Sequence, residues 1–254
     1  MGNNKLISIH IPKTAGTSFR YTLIDVYGIE RVLPFYYTEE SNISYKIPKR
    51  IQVIHGHISI GQYNELIRHN PEWRDATVIT WIRDPVDRFI SNYYYMKGVL
   101  YQQLGKFNDD TPNLKNRMIC SLDEFLERPN EWNETVKFVS EDDINSGKFS
   151  FIGNVNSYDA DLKLLAQMLK WESYATYKHN VTQKKKSIDE DKRALIKNNL
   201  KGDMFIYNKM MQWRDENIPS LKKHFEPKIT SRDRLKLRNR IIGKILPALA
   251  KFNS

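Results

Sequence analysis

Three short segments of this chain combine residue types that could do chemistry. The first is His10-Ile-Pro-Lys-Thr-Ala-Gly-Thr-Ser-Phe19. Lys13 supplies a mobile cation, Thr14, Thr17 and Ser18 supply hydroxyl donors, and Gly16, following Ala15, lets the backbone approach a bound group closely. Placed before a helix, such a loop points several N–H groups and the positive end of the helix dipole at one spot. That suits a terminal phosphate or sulfate. The segment departs from the nucleoside-triphosphate pattern Gly-x-x-x-x-Gly-Lys-Ser/Thr, because Lys13 precedes the loop's only glycine. No Mg²⁺-binding Asp follows an apolar strand either, since the strand pattern ending at Ile82 runs into Arg83. An anion held without a metal is the expectation, and an ordinary turn of small residues is the alternative.

The second segment, Trp81-Ile-Arg-Asp-Pro-Val-Asp-Arg-Phe-Ile-Ser91, places Arg83 at a strand end and Ser91 two turns into the next helix. Ligands of parallel sheets gather at the carboxyl ends of strands, so Arg83 belongs near the Lys13 loop. Its planar fork can hold a phosphate bidentately, with Ser91 adding a hydroxyl; a local ion pair with Asp84 or Asp87 is the competing arrangement. The third segment is His55-Gly56-His57. In an extended chain residues i and i+2 face the same side, so both imidazoles would enter one cleft, where histidine is the natural general base near neutral pH. A metal site would need further ligands, and none lies nearby in sequence. A purely structural pair of strand-end imidazoles also stays open.

These segments need elements to hold them. Alternation over Lys5 to Ile11 predicts a strand opposing Leu6, Ser8 and His10 to Ile7, Ile9 and Ile11, ended by Pro12. A helix over about Thr17 to Tyr27 follows. Ile51 to His55 and Thr77 to Ile82 are further strand candidates, the latter as apolar as a strand buried on both faces requires. Asp84 is a cap with Pro85 in the first helical position, and Ser121-x-x-Glu124 and Ser187-x-x-Glu190 are capping-box patterns. Amphipathic stretches cover Asp159 to Trp171 and Met204 to Trp213, and Gly98 to Leu114 reads as a polar loop or lid. Early strands and late helices predict an α/β fold, a central parallel sheet flanked by helices with a helix-rich C-terminal half.

Pro12-Lys-Thr-Ala-Gly-Thr-Ser18 together with Ile82-Arg-Asp-Pro-Val-Asp-Arg88 resembles the 5′-phosphosulfate loop and 3′-phosphate motif of sulfotransferases. The chain is most similar to carbohydrate enzymes of the heparan sulfate and uronyl 2-O-sulfotransferase branch. The likeness extends through Tyr93-Tyr94-Tyr95, Phe151-Ile-Gly-Asn-Val155 and the stretch from Lys178 to Lys186. It implies a nucleotide-kinase-like, P-loop-type fold and the donor 3′-phosphoadenosine 5′-phosphosulfate (PAPS), which leaves 3′,5′-adenosine bisphosphate (PAP), with no metal required. It also implies roles: the backbone of Thr14, Ala15, Gly16, Thr17 and Ser18 on the 5′-phosphate, Arg83 and Ser91 on the 3′-phosphate, and Lys13 on the bridging oxygen. His57 becomes the base of an in-line displacement, His55 its helper, and Thr182 and Lys185 part of a loop over the nucleotide. The acceptor implied is a carbohydrate hydroxyl, on an acidic or lipid-linked glycan.

The charge balance speaks to the rival functions. The chain has 254 residues, 40% hydrophobic and 12% aromatic, enough for one α/β domain with a core. Eight basic residues and one acid lie between Lys228 and Ser254, so +7 of the net +10 sits in that stretch and +3 elsewhere. A near-neutral body argues against nucleic acid as partner and against a non-catalytic polyanion-binding module; an ATP/Mg²⁺ phosphotransferase is the other alternative. We therefore divide the chain into a sulfotransferase domain, 1–227, and a basic amphipathic tail, 228–254. The tail could meet an anionic membrane surface peripherally, join a homo-oligomer, or pack on the body. Cys120 is the only cysteine, so no intrachain disulfide forms. With no long apolar run in the sequence and no signal-peptide pattern, the expected location is cytoplasmic.

Overall fold

The computed structural model describes residues 5–36, 46–100, 121–177, 188–225 and 231–232. Strands β1 (Leu6–Ile9), β2 (Val32–Tyr36), β3 (Val53–His57), β4 (Thr77–Ile82) and β5 (Phe151–Asn154) form one sheet in the order β2-β3-β1-β4-β5. Every neighbouring pair is parallel. From β1 the chain passes to the edge strand β2, returns inward to β3 beside β1, and then crosses to β4 and β5 on the other side. The loop after β1 therefore opens into the crevice at the carboxyl ends of β3 and β4, where the winding reverses.

Helices α1 (Gly16–Tyr27), α2 (Ile60–His69), α3 (Pro85–Tyr95), α4 (Leu122–Leu126), α5 (Glu141–Asn145), α6 (Tyr158–Met168), α7 (Glu190–Asn199) and α8 (Lys201–His224) surround it. The alternation in β1 sorts the core. Ile7, Ile9 and Ile11 pack with Ile54, Val78 and Ile82 against Tyr63 and Leu66 of α2. On the other face Leu6, Val53, Ile79 and Trp81 lie under Phe19 and Leu23 of α1 and Leu162 and Leu165 of α6. A third cluster joins Val86, Phe89 and Tyr93 of α3 to Phe125 of α4 and Ile196 of α7.

The expected central strands are present, with β3 displaced to Val53–His57 so that His-Gly-His forms its last three residues. Both edge strands depart from expectation, and the reason is local. Pro34 sits inside β2, which pairs only with β3 and so can spare an N–H on its outer side. In β5, Gly153 interrupts the strand pattern, and a Cβ there would lie 2.4 Å from the Trp81 ring. The outer side of β5 is closed by α8. Arg214 donates to the Ile152 carbonyl and pairs with Asp161 at 2.8 Å, which keeps this edge from pairing elsewhere.

Several ends also move. The Ser121 capping box forms, and Asp84 caps α3 as expected, accepting from the Asp87 N–H at 3.0 Å. Helix α6 stops at Met168, before Lys170 turns left-handed at φ 54°. The stretch expected over Met204 to Trp213 is part of the 24-residue α8, carried past Pro219 by burial of Ile218 against the sheet. Asp189 caps α7; Ser187 lies outside the described residues. So does the 98–114 segment beyond Leu100, whose start continues α3 as a π-helical turn, Met96–Leu100. Of the tail, Ser231–Arg232 form a short β7 beside β6 (Tyr174–Ala175), and its other residues are outside the described set.

Candidate active site

The loop after β1 holds its backbone in an unusual form. Lys13 and Ala15, neither of them glycine, adopt left-handed φ of 69° and 65°. Each such residue is strained, and such strain concentrates at ligand sites. Between them Thr14 turns inward: its hydroxyl donates to the Ile11 carbonyl at 2.7 Å, and its N–H donates to the same oxygen at 3.3 Å. The Thr14 N–H is thus spent on the turn, and the expectation that it joins an anion cradle is corrected. Helix α1 starts at Gly16 with Ala15 at its cap, no side-chain cap and no acid in its first turn. Helix geometry leaves the N–H groups of Gly16 and Thr17 without an intrahelical acceptor. Ser18 is buried in this first turn.

Arg83 reaches this loop. Its Nη1 donates to the Lys13 carbonyl at 3.4 Å. Among the described residues Arg83 makes no contact ion pair with Asp84, which caps α3, or with Asp87, which binds Arg193 at 3.0 Å, although both carboxylates act on its guanidinium from farther off. The Lys13 Nζ lies 3.5 Å from the centre of the Tyr95 ring, a cation–π contact. Burial, aided by the nearby Arg83 charge, pushes the Lys13 ammonium down to about 7. Two cations converge here, a poor arrangement for a protein alone and a good one for an anion. Ser91 is buried in α3, on the helix that starts just after Arg83. Thr182 and Lys185 lie outside the described residues.

The imidazoles are three rather than two. His55 is fully buried; its Nε2 lies 3.1 Å from the Gly16 carbonyl and its Nδ1 2.9 Å from the Ser8 hydroxyl. A carbonyl only accepts, so Nε2 carries the proton and Nδ1 accepts from Ser8. Burial, with the Arg20 charge second, pushes this imidazole down to about 3. His55 is neutral with both nitrogens engaged, so the picture of two imidazoles open to one cleft is corrected. His55 braces the loop from behind. His57, half-buried, keeps a pKa below the usual value through burial, with the Glu134 charge opposing, and Phe138 stands 6.1 Å from its ring.

Between them sits His10, stacked on His55 at 5.2 Å and edge-on to His57 at 4.6 Å. His10 follows the strand alternation of β1, and its parity with Ser8, on the face that β3 lends to His55, is the sequence signal for its place here, although no role was expected of it. The segment carrying Glu134 and Phe138 was also missed. It is held by a buried carboxylate, Asp203, which accepts from the Thr135 N–H at 2.8 Å and from Arg88 at 3.2 Å. Burial raises the Asp203 carboxyl against the pull of Arg88 and of these peptide groups. No group of three or more His, Cys, Asp or Glu among the described residues is placed to hold a metal.

A parallel sheet flanked by helices, with a strained, cation-bearing loop at the carboxyl end of its central strand, defines an α/β protein with a P-loop-type architecture. The chain belongs to the sulfotransferase family, whose model matches residues 1–205. Among solved structures, mouse sulfotransferase SULT7A1 complexed with PAP is similar, with 17% identity over 79% of this chain and a TM-score of 0.44. This chain spans 65% of that chain's length. No curated protein matches.

Proposed function

We propose that this protein transfers the sulfo group of PAPS to a hydroxyl of a carbohydrate acceptor. The observation that carries the reading is the meeting of Arg83 with the Lys13 loop at the carboxyl edge of β1 and β4. The donor set suits the compound. The first turn of α1 offers N–H groups for a 5′-phosphosulfate, and Arg83 offers a charged fork for a 3′-phosphate. The bound donor supplies an activated sulfo group. Lys13, held near neutrality by burial, gains its full charge as the anion arrives and stabilises negative charge on the oxygen that leaves sulfur. His57, kept below its ordinary pKa and so neutral at pH 7, takes the proton from the attacking hydroxyl. His55 fixes the Gly16 carbonyl and thereby the start of α1. The glycan acceptor, acidic or lipid-linked, is part of the same proposal.

Sulfate transfer from labelled PAPS onto a panel of neutral, acidic and lipid-linked glycans tests it. At least one glycan should become labelled, and His57→Ala should lower that turnover by roughly 10²–10⁴ with PAP affinity kept. Near-normal turnover in the variant would remove His57 from its role.

A further inference from the structure

We propose that His10 is a positioning residue whose ring, wedged between the Gly16 backbone and the His57 imidazole, sets the base against the donor loop. The inference rests on the reading that loop 13–18 receives the donor and His57 takes the proton. Three observations carry it. A Cβ built on Gly16 would lie 1.9 Å from His10 Nε2, 2.0 Å from its Cδ2 and 2.3 Å from its Cε1. Such distances forbid any side chain while the ring is present. Gly16 does not need a glycine backbone angle, since it is absent from the left-handed residues of the loop. The same ring stands edge-on to His57 at 4.6 Å. Its Nδ1 is shut from solvent without a hydrogen-bond partner. A buried ring nitrogen without a partner is unfavourable, so packing and not a hydrogen bond explains the placement.

This changes why residue 16 is glycine. From sequence alone the glycine admits an anion; here it admits an imidazole. A shift of the base side would then be felt at the first turn of α1, and donor binding at α1 would be felt at His57. Among the described residues, the groups facing His57 include His10 from the end of β1, His55 from its own strand, and Glu134 and Phe138 from the 133–138 segment.

The test is a double-mutant cycle on the full chain, read by calorimetric titration of PAP without Mg²⁺, by melting temperature, and by NMR titration of the His57 ring, assigned with His57→Asn. Gly16→Ala should weaken PAP binding at least tenfold and lower the melting temperature. His10→Ala in that background should recover most of both losses. His10→Ala alone should admit water beside His57 and move its titration midpoint up toward 6.5, an effect a remote structural role would not produce. A double variant no better than Gly16→Ala, or an unmoved His57 midpoint, overturns the proposal. Wild-type protein that ignores PAP would instead sink the donor reading, and the melting and NMR arms would still decide the wedge.

Discussion

Two helices start at the same edge of the sheet, and their beginnings are opposite in design. Helix α3 is closed in the ordinary way: Asp84 accepts the Asp87 N–H and Pro85 fills the first position. Helix α1 has alanine at its cap, no acid in its first turn, and left-handed Lys13 and Ala15 leading into it. A cap carboxylate would be worth stability at α1 as it is at α3, so its absence there is a cost accepted. On the proposed reading the difference separates a finished helix end from one left open for the donor: α3 aims Arg83, and the uncapped start of α1 faces the same loop.

The largest effect should come from closing α1. Ala15→Asp places a carboxylate at the open dipole end, and asparagine and aspartate tolerate left-handed angles. PAP affinity should fall by about 100-fold or more, while the melting temperature holds or rises slightly because the charge favours the helix. A variant that binds PAP normally breaks the contrast. Next is pH. The free protein keeps Lys13 charged below about 7 and loses that charge above it. A bound anion favours the charged form, so PAP affinity should be flat on the acid side of that value. It should then weaken by about tenfold per unit of rising pH, with up to one proton taken up per PAP at pH 8. Titrations in buffers of different ionisation enthalpy measure that uptake. The smallest effect belongs to α3: Asp84→Ala should cost about 1 kcal/mol of stability in chemical denaturation and change PAP affinity less than about threefold, in proportion to how far Arg83 loosens.

The parts of this molecule that were legible in sequence are those whose signals are local. The alternation of β1, the apolar run of β4, and the Asp84 and Ser121 caps all depend on neighbours in the chain, whereas the approach of Arg83 to the Lys13 loop followed from the rule for parallel-sheet ends. The edge strands were illegible because Pro34 and Gly153 break strand patterns, and what permits them is an outer side without a strand neighbour and the Trp81 ring. Tyr95 was noted as part of a tyrosine run, yet its place beneath Lys13 comes from the length of α3. The imidazole wall was half legible. Parity put His55 and His57 on one face, but separating the buried His55 from the half-buried His57 took Ser8 and Gly16 from other elements. The hold of Asp203 on the 133–138 segment spans about seventy residues of sequence and leaves no local trace.

The most direct measurement is a pair of calorimetric titrations of the full chain, PAP in EDTA and ATP with Mg²⁺, repeated with Arg83→Ala. PAP should bind in EDTA more tightly than ATP binds with Mg²⁺, and Arg83→Ala should lose most of that preference by weakening PAP alone. Tighter binding of ATP with Mg²⁺, or PAP binding indifferent to Arg83, would contradict a donor site built from the open end of α1 and the arginine beside it.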